Sequence, residues 1–275
     1  SREDFGRYKI TIEEEEEYAD HVDKGVDVFA GVDYQQILEQ AERDCDLIIW
    51  DGGNNDLSFY VPDQSIVVVD PLRAGHESRY HPGEANVRLA DAIVVNKVNL
   101  AEPAAVESVI GSCRKLNPTA KIFRVSSEAT VDNPDIVRGK DVLVIEDGPS
   151  ITHGGLKEGV GASAARALGC NLVDPRHKAV GSIKKAYEKF PRIGPVIPAL
   201  GYSAEQLREL EESINGVDCD AVVLGTPADL RRRIRISKPS AKVGFEGHDA
   251  GEPRFTAYLE EKFAELGRGR ASAGH

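Results

Sequence analysis

The sequence lacks several features that define common functional classes. It has no methionine, so we expect residue 1 to lie downstream of the native start. Its four cysteines lie far apart, without a CxxC pair or the Cys/His spacing of a zinc site, and we expect buried, reduced thiols. No apolar stretch approaches the roughly 20 residues that cross a bilayer, and no signal region opens the chain. We therefore expect a cytoplasmic protein with no membrane partner.

Positive charge is also scarce. The 275 residues include 34 Lys and Arg against 46 Asp and Glu, which gives a formal net charge of −12. A field of that sign repels phosphate backbones, so nucleic acid is excluded as the main partner. A small anionic ligand can still bind where cations gather locally. The assembly remains open, and a homo-oligomer is one option.

Short apolar runs that end in polar residues recur along the chain. Helical patterns separate several of them, which is typical of a doubly wound, mainly parallel α/β sheet. Such sheets bind ligands beyond the carboxyl ends of their strands. The predicted strands are 47–50, 65–69, 92–95, 121–125, 142–145 and 221–224, and the predicted helices are 34–43, 101–116, 158–168 and 204–214.

The first of these runs, residues 47–50, leads into a glycine-rich polar turn that ends at Asp56. It predicts a strand buried on both faces, after which Asp51, Asn54 and Asn55 are exposed. In nucleotide-hydrolysing α/β proteins an aspartate at such a strand end holds Mg²⁺. A purely structural β-turn is the alternative.

The chain is predicted to form two α/β regions. Residues 1–135 form the first, an NTPase-like domain without a P-loop, and 136–266 form the second, with a polar connection over 128–140. The second region includes an edge strand over 234–239 and a closing helix over 253–266. Residues 267–275 are predicted to be a disordered tail. The acidic run 13–17 is typical of a solvated helix face.

Basic residues cluster between Asp70 and Arg88 despite the acidic total. The arginine fork matches phosphate or carboxylate oxygens, and histidine can donate to an anion or move a proton near neutral pH. The cluster predicts an anion pocket at the mouth of the sheet. A surface loop in which arginines pair with local acids is the alternative. The cluster consists of Arg73, His76, Arg79, His81 and Arg88, with Glu77 and Glu84 among the acids.

Residues 96–99 (NKVN) also follow a strand and are similar to the base-recognition loop NKxD of GTP-binding proteins. The fourth position is Asn99, whose single carbonyl acceptor weakens a bidentate contact with guanine and leaves the base open. Ser126, after the next strand, is expected to close the base pocket.

The second half contains glycine-rich turns that open helices, a place where free backbone N–H groups bind anions. His153 and Arg176 could complete such a pocket, with the turns at Asp147, 154–155 and 181–182. Thr226 and Arg232 are weaker candidates. Helix caps and tight turns without a ligand are the alternative.

Taken together, these motifs resemble the cyclic 2,3-diphosphoglycerate synthetase family, whose members are often described as GTPases. The resemblance covers nearly the whole chain, including residues 11–18 (TIEEEEEY), 50–56 (WDGGNND), 70–77 (DPLRAGHE), 146–155 (EDGPSITHGG), 173–183 (VDPRHKAVGSI) and 218–232 (DCDAVVLGTPADLRR). It implies ATP-driven closure of a phosphoanhydride between the two phosphates of 2,3-diphosphoglycerate. The resemblance also implies an N-terminal domain and a P-loop ahead of residue 1, and no GxxxxGK[ST] motif occurs here. We therefore expect this chain alone to bind nucleotide weakly and to turn over little.

The resemblance assigns roles to individual residues and to cofactors. It implies Mg²⁺ and ATP, with GTP as the other nucleotide, and a small phosphorylated substrate. A GTP-binding switch, a metallochaperone-like module and a non-catalytic fragment remain alternatives. The catalytic residues would be Asp51, Arg73, His76 and Glu77, the metal ligands Asp51 and Glu77, the substrate contacts Arg79, His81, His153 and Arg176, and the nucleotide contacts Asn96, Lys97, Asn99 and Ser126.

Overall fold

The computed structural model describes residues 3–8, 10–53, 56–153 and 157–273. The chain divides into two compact units, and both are α/β. Within each unit, most strands pair in parallel with their neighbours. The 29–128 unit comprises Phe29–Glu128 and Glu246–His275, and the 129–245 unit comprises Ser1–Val28 and Ala129–Phe245. Each unit therefore draws on two stretches of chain, whereas the sequence predicts two consecutive regions that meet at residue 135. The mainly parallel α/β class predicted from the sequence is confirmed.

In the 29–128 unit, three strands form a parallel sheet. The strands are β1 (Ile66–Val69), β2 (Ala92–Val95) and the first part of β3 (Lys121–Val131), and the helices are α3 (Tyr34–Asp44), α4 (Gly83–Leu89), α5 (Pro103–Leu116) and α10 (Phe255–Ala273). Val95 pairs with Val69 on one side and with Arg124 on the other. This register places the ends of the three paired segments level with one another. All four residues of β2 are buried, and Val109, Ile110 and Cys113 of α5 pack against β2.

In the 129–245 unit, β4 (Asp141–Asp147) is the central strand. It pairs in parallel with β5 (Asn171–Leu172), β6 (Ile197–Ala199) and β7 (Ala221–Gly225), and β7 pairs with the first part of β8 (Ser240–Asp249). Its helices are α1 (Glu3–Tyr8), α2 (Ile12–Asp23), α6 (Gly148–Thr152), α7 (Val160–Ala167), α8 (Gly181–Lys189) and α9 (Ala204–Gly216). Every residue of β6 and β7 is buried, as expected for strands covered on both faces.

The predicted strand over 47–50 is wrong. These residues adopt no strand, and Ile49 is 80% exposed. A strand needs a hydrogen-bonded neighbour, and among the described residues no backbone hydrogen bond joins 47–50 to β1. Aromatic contacts hold the segment instead, because Trp50 meets the edge of Phe59, which stacks on Tyr34 with ring centroids 4.4 Å apart.

The predicted edge strand over 234–239 is also wrong, because β8 begins only at Ser240. The backbone at Arg235 and Ser237 binds a side chain of α9 instead of a strand. Asn215 donates to the Arg235 carbonyl and accepts from the Ser237 amide at 2.9 Å, and Pro239 has no N–H to offer.

Two elements run further than the sequence predicts. The strand β3 continues to Val131, into the predicted connection, and the helix α10 continues to Ala273, through most of the predicted disordered tail. Arg and Ala have high helix propensity, and a helix that has already formed extends at low cost.

All four cysteines are free thiols, and Cys113 and Cys170 are buried. The predicted burial therefore holds for these two, whereas Cys45 and Cys219 are only partly buried. In the part of the chain that the structure describes, every helix is too short or too polar to span a membrane.

One buried side chain holds several turns of the 29–128 unit together. Asn117 is 5% exposed, and its amide nitrogen donates to the carbonyls of Val87 at 3.0 Å and Ala90 at 2.8 Å. Its carbonyl oxygen accepts from the Ala120 amide at 3.0 Å, just before β3. The chain reversals on either side of β2 therefore share one buried amide.

We expect Asn117→Ala to lower the free energy of unfolding by at least about 2 kcal/mol, because it leaves buried carbonyls and an amide without partners. Asn117→Asp should also destabilise, since a carboxylate accepts but cannot donate to Val87 and Ala90. Urea unfolding would measure both. The exposed helix variant Gln35→Ala is the control and should stay within about 0.5 kcal/mol of wild type. Equal stabilities for Asn117→Ala and Gln35→Ala would contradict this account.

Candidate functional site

Polar side chains meet at the carboxyl edge of the sheet in the 29–128 unit. Asp70 follows β1 and Lys97 follows β2, and the Lys97 ammonium lies 2.9 Å from the Asp70 carboxylate. Asp70 also accepts the Leu72 amide at 3.0 Å and so caps the turn that opens the basic loop. One carboxylate therefore fixes both the lysine and the start of the loop.

The backbone of Lys97 adopts the left-handed conformation, with φ of 57°. Long side chains rarely take this conformation, and such strain concentrates at ligand-binding sites. The Asn96 side chain supports it by accepting the Lys97 amide at 2.8 Å. The structure therefore brings together Asn96 and Lys97, the predicted base-contacting pair.

Asn99 and Ser126 lie near Asn96 and Lys97 at the same edge of the sheet. Asn99 donates to the Ser127 carbonyl at 3.0 Å and accepts the Ser127 amide at 2.9 Å. Ser126 lies within β3, not after it as the sequence predicts, because the strand continues to Val131. It is buried, and its hydroxyl donates to the His248 carbonyl at 3.3 Å. Asn99 thus holds the loop after β2 against β3, a structural role that its sequence position alone did not reveal.

The basic loop, residues 70–88, carries several basic side chains without a charged partner among the described residues. Within the described residues, no ion pair or side-chain hydrogen bond engages Arg73, Arg79 or His81, and all three are exposed. His76 is also exposed and contacts the ring of Tyr80. Of the loop's arginines, Arg88 alone pairs with a local acid, Glu84, at 2.6 Å in the described part of the chain. The alternative in which the arginines are neutralised by their own loop therefore holds for Arg88 only.

The two carboxylates predicted to bind metal have different surroundings. Asp51 is exposed, and Asn54 and Asn55 of its turn lie outside the described residues. Glu77 is half-buried and accepts the Gly75 amide at 2.7 Å. Burial, with a smaller contribution from the Glu77 charge, raises the pKa of the Cys113 thiol to about 11. Across the described ranges, no group of three or more His, Cys, Asp or Glu side chains is arranged to hold a metal ion.

In the 129–245 unit, carboxylates of the protein itself bind the helix N-termini that the sequence predicts as anion sites. Glu146, 1% exposed, accepts the amides of Ala162 at 2.7 Å and Gly159 at 3.0 Å at the start of α7. A Cβ on Gly159 would lie 2.4 Å from Glu146, so this approach requires glycine. Glu209 accepts the Ser182 amide at 2.9 Å at the start of α8.

The predicted contacts in this unit are already engaged. Arg176 pairs with Asp174 at 2.5 Å, donates to the Ile193 carbonyl and lies over the ring of Tyr187. His153 has its Nδ1 atom 3.0 Å from the Thr152 hydroxyl. Residues 154–156, part of the same motif, lie outside the described residues. Thr226 is buried, and Arg232 pairs with Asp23 at 3.0 Å.

Sequence reasoning missed the roles of Asp70 and Glu146. Both stand at the end of an apolar strand run, which is the signal that could have found them. A strand-end carboxylate predicts a ligand site, but its partner depends on which loop folds over it, and sequence spacing does not show that.

Parts of this sequence are similar to known proteins. Residues 48–124 match the family described as CobW/HypB/UreG, nucleotide-binding domain. Over 260 residues the chain is 48% identical to a protein of Thermococcus kodakarensis named Arginine synthetase ArcE, and the match covers 94% of this chain and 58% of that protein. The chain thus spans 58% of the length of this curated relative.

These similarities define a class, an α/β chain in which residues 48–124 are similar to a nucleotide-binding domain and which has a relative named as a synthetase. The strand-end residues Asp70, Asn96 and Lys97 all lie inside the matched stretch 48–124. Neither description names cyclic 2,3-diphosphoglycerate.

Burial raises the pKa of Glu146, and this effect outweighs the backbone N–H bonds that lower it. A raised folded pKa means that the folded state favours the protonated carboxyl. Its stabilising contribution is complete below the unfolded pKa and is lost as the pH rises through the folded pKa. We expect the stability of wild type to fall relative to Glu146→Gln as the pH rises above about 4, the ordinary pKa of a glutamate.

Urea unfolding of the two proteins across that range would measure the difference. Glu209→Gln is a suitable control, because hydrogen bonds from Ser182 lower the pKa of that carboxyl and the pH dependence should have the opposite sign. A constant difference between wild type and Glu146→Gln would show that Glu146 has the same pKa in both states.

Proposed function

We propose that the protein is a nucleotide-dependent synthetase, which uses ATP or GTP to drive bond formation in a small substrate. One observation carries the proposal: Asn96 and Lys97 stand beside Asp70 at level strand ends, inside the stretch that matches a nucleotide-binding family. Such strand ends are where α/β sheets bind nucleotides.

Under this proposal Asn96 and Lys97 frame the base, and Ser126 borders it. Asn99 supports the wall of the pocket through its two hydrogen bonds with Ser127. No carboxylate stands at position 99 to read guanine, so ATP and GTP are both candidates.

Magnesium is the metal that a nucleotide would bring, and it would neutralise phosphate charge. Mg²⁺ is commonly held by one or two carboxylates together with substrate phosphates, so a large protein cage is not required. Asp51 suits this role best, because its exposed carboxylate forms no hydrogen bond or ion pair in the described part of the chain. Glu77 is the second choice, since it is already bound to the Gly75 amide.

The unpaired cations support a substrate with several negative charges. Arg73, His76, Arg79 and His81 belong to the loop that begins at Asp70, and convergent cations stabilise the charge that develops on transferring phosphates. The substrate that the sequence resemblance implies is 2,3-diphosphoglycerate, closed to its cyclic phosphoanhydride with ATP.

Arginine is the second candidate product, and the 48% identity with Arginine synthetase ArcE favours it. Both candidates need a nucleotide, and they differ in substrate charge. 2,3-Diphosphoglycerate is a polyanion, whereas arginine carries charges of both signs. A GTP-binding switch, a metallochaperone-like module and a non-catalytic fragment are the remaining outcomes of the test.

If the basic loop binds 2,3-diphosphoglycerate, that ligand should raise the melting temperature, and the rise should shrink as salt screens the charges. Arg73→Ala should weaken binding about tenfold or more, because each charge-assisted bond contributes about 1.5–3 kcal/mol. Arg73→Lys should also lose affinity. Thermal-shift titrations would measure these effects, with sulfate at matched ionic strength as the ligand control and Arg114→Ala, an exposed arginine of α5, as the matched variant.

Reactions with ATP or GTP and Mg²⁺ then separate the outcomes, with phosphorus NMR to detect phosphorylated products and amino-acid analysis to detect arginine. A cyclic product from 2,3-diphosphoglycerate supports the first candidate, and arginine formation supports the second. Nucleotide hydrolysis without either product favours the switch. If neither nucleotide binds, the synthetase proposal is wrong and the chain is a non-catalytic fragment.

A further inference from the structure

A side chain anchors the loop after β2 to β3, where a paired strand would use its backbone. The backbone bonds between the two elements include one from the Val98 amide to the Val125 carbonyl at 3.2 Å. Two residues further along β3, the Asn99 carboxamide donates to the Ser127 carbonyl at 3.0 Å and accepts from the Ser127 amide at 2.9 Å. In a parallel sheet, peptide groups of the neighbouring strand form these two bonds. The Asn99 side chain therefore extends the ladder past the end of β2.

The same two bonds bear on how the site could choose a base. In the NKxD loop a carboxylate at the fourth position accepts from two N–H groups of guanine, which requires two oxygens that face the ligand. Asn99 has one carbonyl oxygen, and the Ser127 amide binds it. Its amide nitrogen is bound to the Ser127 carbonyl. The polar groups of Asn99 therefore serve β3 and not a guanine base.

The anchor also constrains a strained residue in the same loop. Lys97 has a φ of 57°, which is unfavourable for a long side chain and persists only where the surroundings impose it. Asn96 accepts the Lys97 amide at 2.8 Å, and the Lys97 carbonyl accepts the Leu100 amide at 2.9 Å. Asn99 lies between these two contacts and fixes the loop to β3. The loop is therefore set in this conformation by the protein alone.

We propose that Asn99 is a positioning residue, which replaces a peptide group at the end of the β2–β3 ladder and holds Asn96 and Lys97 in place before a ligand binds. The choice between adenine and guanine then does not depend on position 99. The inference rests on the proposed function for the identity of the ligand, whereas the anchor itself exists without nucleotide.

The variant Asn99→Asp distinguishes a positioning role from a base-reading role. Once ionised, the introduced carboxylate still accepts from the Ser127 amide, but it has no hydrogen to donate and it repels the Ser127 carbonyl. A protonated carboxyl can form both bonds, so the anchor raises the pKa of this group. The anchor should be complete below the ordinary pKa of an aspartate, about 4, and be lost as the pH rises through the raised pKa. A guanine-reading carboxylate has the opposite dependence, because it accepts from the base when ionised.

Amide hydrogen exchange without nucleotide measures the anchor at residues 96–100 and 125–128. At about pH 7.5, where a free carboxyl is ionised, Asn99→Asp and Asn99→Ala should both lose protection there. At about pH 5 protection should return at least in part in Asn99→Asp, whereas Asn99→Ala should not recover. Because Asn99 is exposed, both variants should fold.

Two references control for charge and for other titrating groups. Asn133→Asp introduces the same charge at an exposed position of the 129–245 unit and should exchange as wild type does at each pH. Wild type itself carries the remaining charged groups near this edge, so it is the reference at each pH. These groups are Asp70 and Lys97, which pair with each other, Glu102 before α5, Glu128 on β3 and His248 on β8.

Isothermal titration at the higher pH then tests the role in binding. Asn99→Asp should weaken ATP and GTP binding by the same factor, about three- to tenfold, because it loses a hydrogen bond that holds the loop. Selective tightening of GTP, or unchanged exchange in both Asn99 variants, would overturn the inference. If wild type binds neither nucleotide, the proposed function fails, and the exchange measurement still decides whether Asn99 anchors the loop.

Discussion

The ion pair between Lys97 and Asp70 is the contact on which the candidate nucleotide site depends. It joins the ends of two adjacent parallel strands over 2.9 Å, and the same aspartate caps the turn that opens the basic loop. Because both groups are partly exposed, we expect the pair to contribute little to global stability. Its importance is positional, since it sets where the lysine, the loop and the strand ends stand relative to one another.

The 129–245 unit uses its charges differently. Glu146 and Glu209 occupy the N-termini of α7 and α8, and Arg176 is held by Asp174 and a backbone carbonyl. A helix N-terminus that already holds a carboxylate has little capacity left for a ligand anion. The anion binding that we propose therefore relies on side chains without a partner among the described residues, such as Arg73 and Arg79, more than on helix N-termini.

Sequence periodicity predicted the strands that pair with neighbours on both sides, because continuous burial leaves a clear apolar run, as in β2, β4 and β7. It failed at residues 47–50, where an apolar run without a described neighbour forms no strand, and at 234–239, where Asn215 binds the backbone. The position of Asn96 and Lys97 directly after a strand was predictable from the apolar run before them. The Asp70 bridge and the Glu146 cap were not, since each depends on a tertiary contact that spacing alone does not encode.

The central claim is that a nucleotide binds at the carboxyl ends of β1 and β2, beside residues 125–128 of β3. Amide hydrogen exchange with and without saturating ATP or GTP tests it most directly. Bound nucleotide should slow exchange at residues 70–75, 96–99 and 125–128. The variant Lys97→Ala should show less of this protection. Protection confined to the 129–245 unit, or unchanged exchange at 96–99 when nucleotide is bound, would contradict it.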